Sequence, residues 1–323
     1  MAEDATTADR LDYAALRPGR HALRYRVPNT TLPDGSPLTI PVTVLVGRKP
    51  RPRLVAIAGV HGNEYPGPLA LLDLAQTLDP ASIEGTVVLV PFANPLAYNA
   101  GTRSTPEDGV NLNRVFPGDP KGSVTLRLAH ALVDGIVQDA DLAVDLHSAE
   151  ATGMMMPMAG FRENTGDVAV KSARAAAAMG LDMDWMMRWA PGTLSTALNE
   201  RGVPAVGCEN GGLGVATPEE VWIYREGVLR LVRGEDRDPP KTVEVMEDVV
   251  APTGGLVDIR VQLRQELRAG DLIGRVLNPF GEPIATIEAP FDGRVVHQRL
   301  FRQVRAGETL VSLGRGVSSP AAP

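Results

Sequence analysis

Leu54-Val55-Ala56-Ile57-Ala58-Gly59-Val60 is apolar throughout and stops on His61. A strand with one face in water alternates apolar and polar residues, whereas a run without alternation belongs in a strand covered on both faces. Such a strand commits the chain to a layered sheet with helices on either side. Thr86-Val87-Val88-Leu89-Val90-Pro91-Phe92 and Leu142-Ala143-Val144-Asp145-Leu146 read as further strands, and Ala205-Val206-Gly207-Cys208 as a short fourth. Leu71, Leu74, Ala75 and Leu78 recur at helical spacing between the first two. Ser123 is a candidate cap for a helix running to about Gln138. Thr217-Pro218-Glu219-Glu220 combines a capping box with proline at the first helical position. The alternation predicts an α/β fold with a mostly parallel or mixed sheet covered by helices.

At roughly 150 residues per domain, 323 residues suggest two domains. The texture changes near Gly234-Glu235-Asp236-Arg237-Asp238-Pro239-Pro240, a polar stretch rich in breakers. Beyond it, Leu272–Leu277, Ile284–Ile287 and Arg294–His297 are short β-like runs between Gly and Pro. The expected division is an α/β domain over 1–245, opening with a β-like segment over 1–50, and a smaller all-β, barrel-like domain over 246–323.

Composition excludes several classes of function. With 44% hydrophobic and 22% charged residues the chain is not disordered, and no stretch nears the roughly 20 apolar residues that span a bilayer. A net charge of −7, without a basic run, argues against nucleic acid as a partner. The single Cys208 excludes an intrachain disulfide framework and a cysteine-rich zinc site. The acidic start Met1-Ala2-Glu3-Asp4-Ala5 lacks the apolar core of a secretory signal. The expectation is a cytoplasmic enzyme.

Its chemistry is expected where strands end, because open α/β sheets collect ligands outside the carboxyl ends of their strands. His61-Gly62-Asn63-Glu64 follows one buried run, and His147-Ser148 follows another. His61 and Glu64 can face one point in a tight loop, and His147 arrives from a second strand. Two imidazoles and a carboxylate form the ligand set of an open catalytic zinc site. The strand ending at Cys208 delivers Glu209 to the same crevice, placed to move a proton without being a ligand. The long segment from Asn94 to Gly118 carries Arg103, Asn113 and Arg114. Arginine suits either a carboxylate or a developing oxyanion.

These residues, in this order over roughly residues 50 to 215, resemble the succinylglutamate desuccinylase/aspartoacylase family of zinc carboxypeptidase-like deacylases. The resemblance implies one Zn2+ per chain, held by His61, Glu64 and His147, with Glu209 as general base and acid. It further implies that Arg103 polarises the scissile carbonyl and that Asn113 and Arg114 clamp a substrate carboxylate. The substrate would be a small N-acyl amino acid, and homo-oligomers are a family-level expectation. A zinc carboxypeptidase acting on short peptides would use the same metal set, and a non-catalytic binding protein the same crevice. The C-terminal part resembles a biotinyl/lipoyl-like barrel, chiefly through Ile287–Val295 and Val304–Leu310. It holds Gly281-Glu282 where the modifiable lysine of such a carrier would sit, and residues 242–323 contain no lysine.

Other conspicuous residues have plainer readings. His21, His130 and His297 are expected to be structural or exposed, and Cys208 to act as a small buried hydrophobe. Met154-Met155-Met156-Pro157-Met158 reads as core, with an acyl-binding wall as the alternative. Trp185, Trp189 and Tyr224 are aromatic candidates for substrate contact that the sequence does not place.

Overall fold

The computed structural model describes residues 5–238 and 242–319. Met1–Asp4 of the acidic start, Pro239 and Pro240 of the boundary stretch, and the last four residues of the tail lie outside the described residues. Three strands open the chain, β1 (Thr6–Ala8), β2 (Gly19–Thr31) and β3 (Pro37–Val46). Then come β4 (Arg53–Ala58), α1 (Pro66–Thr77), β5 (Thr86–Val90), α2 (Pro95–Ala100), α3 (Val124–His130) and β6 (Leu142–His147). The α/β part continues through β7 (Gly153–Arg162), α4 (Asp167–Met179), β8 (Met183–Met187), α5 (Leu194–Glu200), β9 (Ala205–Gly212) and α6 (Pro218–Val232). After it the chain is all strand: β10 (Thr242–Val250), β11 (Gly255–Ile259), β12 (Glu266–Leu267), β13 (Leu272–Leu277), β14 (Pro283–Glu288), β15 (Gly293–Arg299), β16 (Gln303–Val304) and β17 (Thr309–Ser318).

The main sheet is mixed. Its centre, β5-β4-β6-β9, is parallel. Antiparallel β2 and β3 flank one side and β7 the other. The continuous apolar run behaves as its lack of alternation requires. Val55 and Ile57 of β4 pack on one face with Leu128 of α3 and Leu194 and Leu198 of α5. Leu54, Ala56 and Ala58 pack on the other with Leu71 and Leu74 of α1, Ala173 of α4 and Val228 of α6. Burying a Leu or Ile side chain is worth about 1.5–3 kcal/mol, and here both faces of β4 contribute.

The capping box forms: Glu220 N–H donates to Thr217 Oγ1 (3.2 Å), and Thr217 N–H to Glu220 Oε2 (2.7 Å). The helix expected from Ser123 differs in detail. Its α-helical part ends at His130 and continues as a π-type turn over Ala131–Ile136. Ser123 makes no cap to its own helix; it donates to Asp108 Oδ2 (2.6 Å), which also accepts Thr125 N–H (3.1 Å). A carboxylate from a distant loop thus satisfies the helix N-terminus.

The sheet does not stop where the texture changes. Residue 245 lies inside β10, which pairs with β17 and touches β8 through Glu244 and Trp185. Beyond it, β15 pairs with β17 and, at His297–Arg299, with Gly153–Met155 of β7. A second sheet, β14-β13-β11-β16, packs against β15 and β17 of the first, its Val257, Ile273 and Val276 sharing a core with their Val295 and Leu313. The turn between β13 and β14 holds Gly281-Glu282, with Phe280 projecting into solvent. Among the described residues no helix is long and apolar enough to cross a membrane.

Candidate active site

β4 ends at Ala58, and the loop after it turns back toward α2. Gly62 makes the turn possible: a Cβ there would lie 1.9 Å from the Ala97 carbonyl oxygen. Gly62 N–H donates to Thr102 O (2.8 Å), tying the His61–Glu64 loop to the segment that carries Arg103. α1 begins directly after the loop, at Pro66. β6 lies beside β4 and delivers His147 to the same end of the sheet.

His61, Glu64 and His147 converge in the interior, and one ligand atom from each lies within 4.8 Å of the others. Both Nδ1 atoms face the carboxylate, His61 at 2.8 Å from Glu64 Oε1 and His147 at 2.9 Å from Oε2. The far nitrogens are held from behind: His61 Nε2 is 3.1 Å from Asn111 Oδ1, and His147 Nε2 is 2.9 Å from Asp145 Oδ2. An oxygen acceptor behind each imidazole holds a proton on Nε2 and leaves Nδ1 as the nitrogen that would ligate once it gives up any proton of its own, the usual support of a metal-binding histidine. Nitrogen, nitrogen and carboxylate oxygen also suit zinc. The residues present therefore fit a divalent cation.

Electrostatics follow from these contacts. Burial would raise the Glu64 carboxyl, but His61 and His147 outweigh it and hold the group well below the usual carboxylate range. Burial would lower His147, yet Asp145 and Glu64 together raise it well above the ordinary imidazole value. Glu209 lies opposite His147 in the β6–β9 register. Its Oε2 is inaccessible to solvent and has no hydrogen-bond partner. Burial pushes the Glu209 carboxyl up to about 8, with Glu64 and Asp145 adding to the rise and His147 and Arg103 opposing it.

Arg103 reaches in from the long segment, with Nε 3.1 Å from Glu150 Oε1 and Nη1 3.5 Å from Glu64 Oε1. Asn113 sits beside the imidazole, Nδ2 3.2 Å from His147 Nε2, while its Oδ1 accepts Leu194 N–H (2.9 Å). Arg114 is exposed and donates to Asn113 O (2.7 Å). Arg103, Arg114 and Glu209 line two cavities at once. The inner one, about 320 Å³, also borders His61, His147 and Trp185. The outer one, about 390 Å³, is walled on its far side by Met246, Asp248, His297 and Arg299. All seven residues singled out in the sequence thus gather at one place.

The remaining candidates divide. Tyr224 is fully buried and its hydroxyl donates to the His147 carbonyl. Trp185 borders the inner cavity, whereas Trp189 is partly exposed. Met156 and Met158 are core with Met183 and Val296, and Met155 borders the outer cavity. Cys208 is buried, which raises its thiol well above the usual value. His21 is half-buried, its Nε2 2.8 Å from the Arg17 carbonyl oxygen, and His130 faces Asp134 at 3.0 Å. His297, given no role in the sequence, borders the outer cavity with a buried, partnerless Nδ1. Asp145 and Arg162 border the inner cavity and were not singled out as site residues. Asp145 carried a signal, as the one charge inside a buried strand; Arg162 carried none.

Residues 50–234 match the succinylglutamate desuccinylase/aspartoacylase catalytic domain, more than half of the chain, which therefore belongs to that family. Within it, the chain is 35% identical over 299 residues to the N-alpha-acetyl-L-2,4-diaminobutyric acid deacetylase of Halomonas elongata, covering 87% of this chain and 86% of that protein. It is similar in structure to the product-bound ectoine utilization protein EutE (DoeB) of Ruegeria pomeroyi, with TM-score 0.84 and 28% identity over 92% of this chain and 95% of that one. A succinylglutamate desuccinylase/aspartoacylase from Rhodobacter sphaeroides matches at TM-score 0.85 and 27% identity over 95% and 98% of the two chains.

Proposed function

We propose that this chain is a zinc-dependent deacylase that hydrolyses the amide bond of a small N-acyl amino acid, of the class to which N-acetyl-2,4-diaminobutyrate belongs. The observation carrying this reading is the convergence of His61, Glu64 and His147 beside a carboxyl, Glu209, whose inner oxygen has no other partner. The deacetylase named among the relatives supports the substrate class. In this reading the fold is of zinc-carboxypeptidase type, residues 1–245 carry the chemistry, and the domain over 246–323 supplies the outer wall of the cavity through Met246, Asp248, His297 and Arg299.

His61, Glu64 and His147 would hold the ion, which when bound supplies Lewis acidity and makes water acidic near neutral pH. Glu209 takes a proton from the attacking water as its oxygen bonds to the acyl carbon. It passes that proton to the amine nitrogen as the carbon–nitrogen bond breaks, leaving a carboxylate and a free amine. Arg103 faces the carbonyl oxygen as negative charge builds there. Asn113 and Arg114 clamp the carboxylate of the amino-acid half, Asn113 from beside His147 and Arg114 from the cavity lip.

The test is a panel of N-acyl amino acids and short peptides, with zinc measured on the same sample. The expected result is acyl-amino-acid turnover at one zinc per chain, and a drop of about 10²–10⁴-fold in Glu209→Ala at unchanged zinc content. Peptide-only turnover would assign a carboxypeptidase, and ligand binding without product a silent binding protein.

A further inference from the structure

The inner cavity holds a cation that the proposed chemistry does not use. Arg162 closes β7, and its guanidinium is fixed by three neutral acceptors: Ser195 Oγ (2.9 Å from Nε), Thr193 Oγ1 (3.0 Å from Nη2) and the Arg188 carbonyl (2.6 Å from Nη1). Five N–H groups radiate from a guanidinium, so two remain for a ligand. Among the described residues no carboxylate forms an ion pair with it. Asp145, in the same cavity, is engaged through Oδ2 with His147; its Oδ1 is buried without a hydrogen-bond partner, and its charge acts on Arg162 without an ion pair. The second cation there, Arg114, adds repulsion rather than compensation. Burial lowers the Arg162 pKa to about 10 against the pull of Asp145, so it stays charged at neutral pH.

A guanidinium held rigidly by neutral acceptors, with no carboxylate in ion-pair contact, is arranged for an anion from outside. Ordering it beforehand removes the entropy cost that an exposed arginine pays on binding. Arg114 is exposed and tethered by one bond to a carbonyl, so it is the weaker partner.

Resting on the deacylase reading, we propose that Arg162 is the principal recognition residue for the substrate's carboxylate, and so determines specificity for acylated amino acids over uncharged amides. The Ser195 and Thr193 hydroxyls aim the fork, and Arg114 closes the site from the lip. Trp185 and Met187 flank the same cavity and provide apolar surface for the remainder of the ligand.

The test compares N-acetyl-2,4-diaminobutyrate with its carboxamide, in wild type, Arg162→Gln and Arg162→Lys. Losing charge-assisted bonds to one buried anion reduces the carboxylate-over-carboxamide ratio of kcat/KM by about 10–100-fold in Arg162→Gln, mostly through KM. Arg162→Lys, which keeps the charge without the fork, recovers part of the ratio. Equal losses on both substrates would reduce Arg162 to a brace for residues 188–195, and an unchanged ratio would place recognition at Arg114 alone. Calorimetric binding of the same two compounds to metal-free protein separates the two readings. A carboxylate preference lost in Arg162→Gln, from a protein that turns over neither compound, would leave this inference standing and remove the deacylase. No preference in wild type would overturn it.

Discussion

Removing the metal should turn Glu209 into a pH-dependent weakness, and Glu209→Gln should remove that weakness. The carboxyl has an ordinary value of 4.5 and is pushed up to about 8 by burial. Between these values the unfolded chain is ionised at this position while the folded chain still binds the proton. A raised acid stabilises the fold most below its unfolded pKa, and this contribution falls as pH rises toward the folded one. Each pH unit in that window is worth about 1.4 kcal/mol. Integrated from about pH 5 to about pH 7.5, where titration at each end is incomplete, metal-free wild type should lose about 3 kcal/mol relative to Glu209→Gln. Glutamine keeps the shape without the charge, so Glu64, His147 and the surface groups contribute alike to both proteins to first order and largely cancel. The assay is urea denaturation of both proteins in chelator across that range, reading the difference in unfolding free energy. Parallel curves, or wild type gaining on the variant as pH rises, would show that Glu209 is solvated and would remove the argument that burial prepares it to exchange protons near neutrality.

Two further outcomes follow from the same geometry. His147 is held protonated between Asp145 and Glu64, so zinc added to metal-free protein in weak buffer near pH 7 should release about one proton per ion; a zinc-binding trace without acidification would contradict the raised imidazole. Gly62→Ala places a Cβ 1.9 Å from the Ala97 carbonyl oxygen, a backbone atom that cannot swing aside. The variant should lose zinc and activity together with several degrees of Tm, and an unperturbed melting curve would show that the loop adapts.

Where a residue's surroundings come from neighbours in the chain, its structure was legible. The continuous run into His61 could only be a strand covered twice, because each of its residues needs apolar cover. The Thr217 box satisfies its helix end with groups three residues apart. The set His61, Glu64, His147 and Glu209 was legible because strand ends of an open sheet share one rim. α4 was missed although it is amphipathic, with exposed Asp167 and Lys171 set against buried Ala169, Ala173 and Ala176. β7 was missed because its methionines alternate poorly while both of its faces are covered.

Tertiary structure alone decided the rest. Arg162 lies in a strand of unremarkable pattern, and only the fold of residues 188–195 around it makes of a common surface residue a fixed cation with no ion-pair partner among the described residues. Asp108 became the cap of α3 from a loop fifteen residues before Ser123. Asp248 and His297 reach the outer cavity because β10 and β15 extend the sheet past the change in texture. Such contacts join residues far apart in the chain, and no local preference encodes them. The ligand atoms were set by which residues end the strands, but their charge, dryness and partners were set by what packed around them.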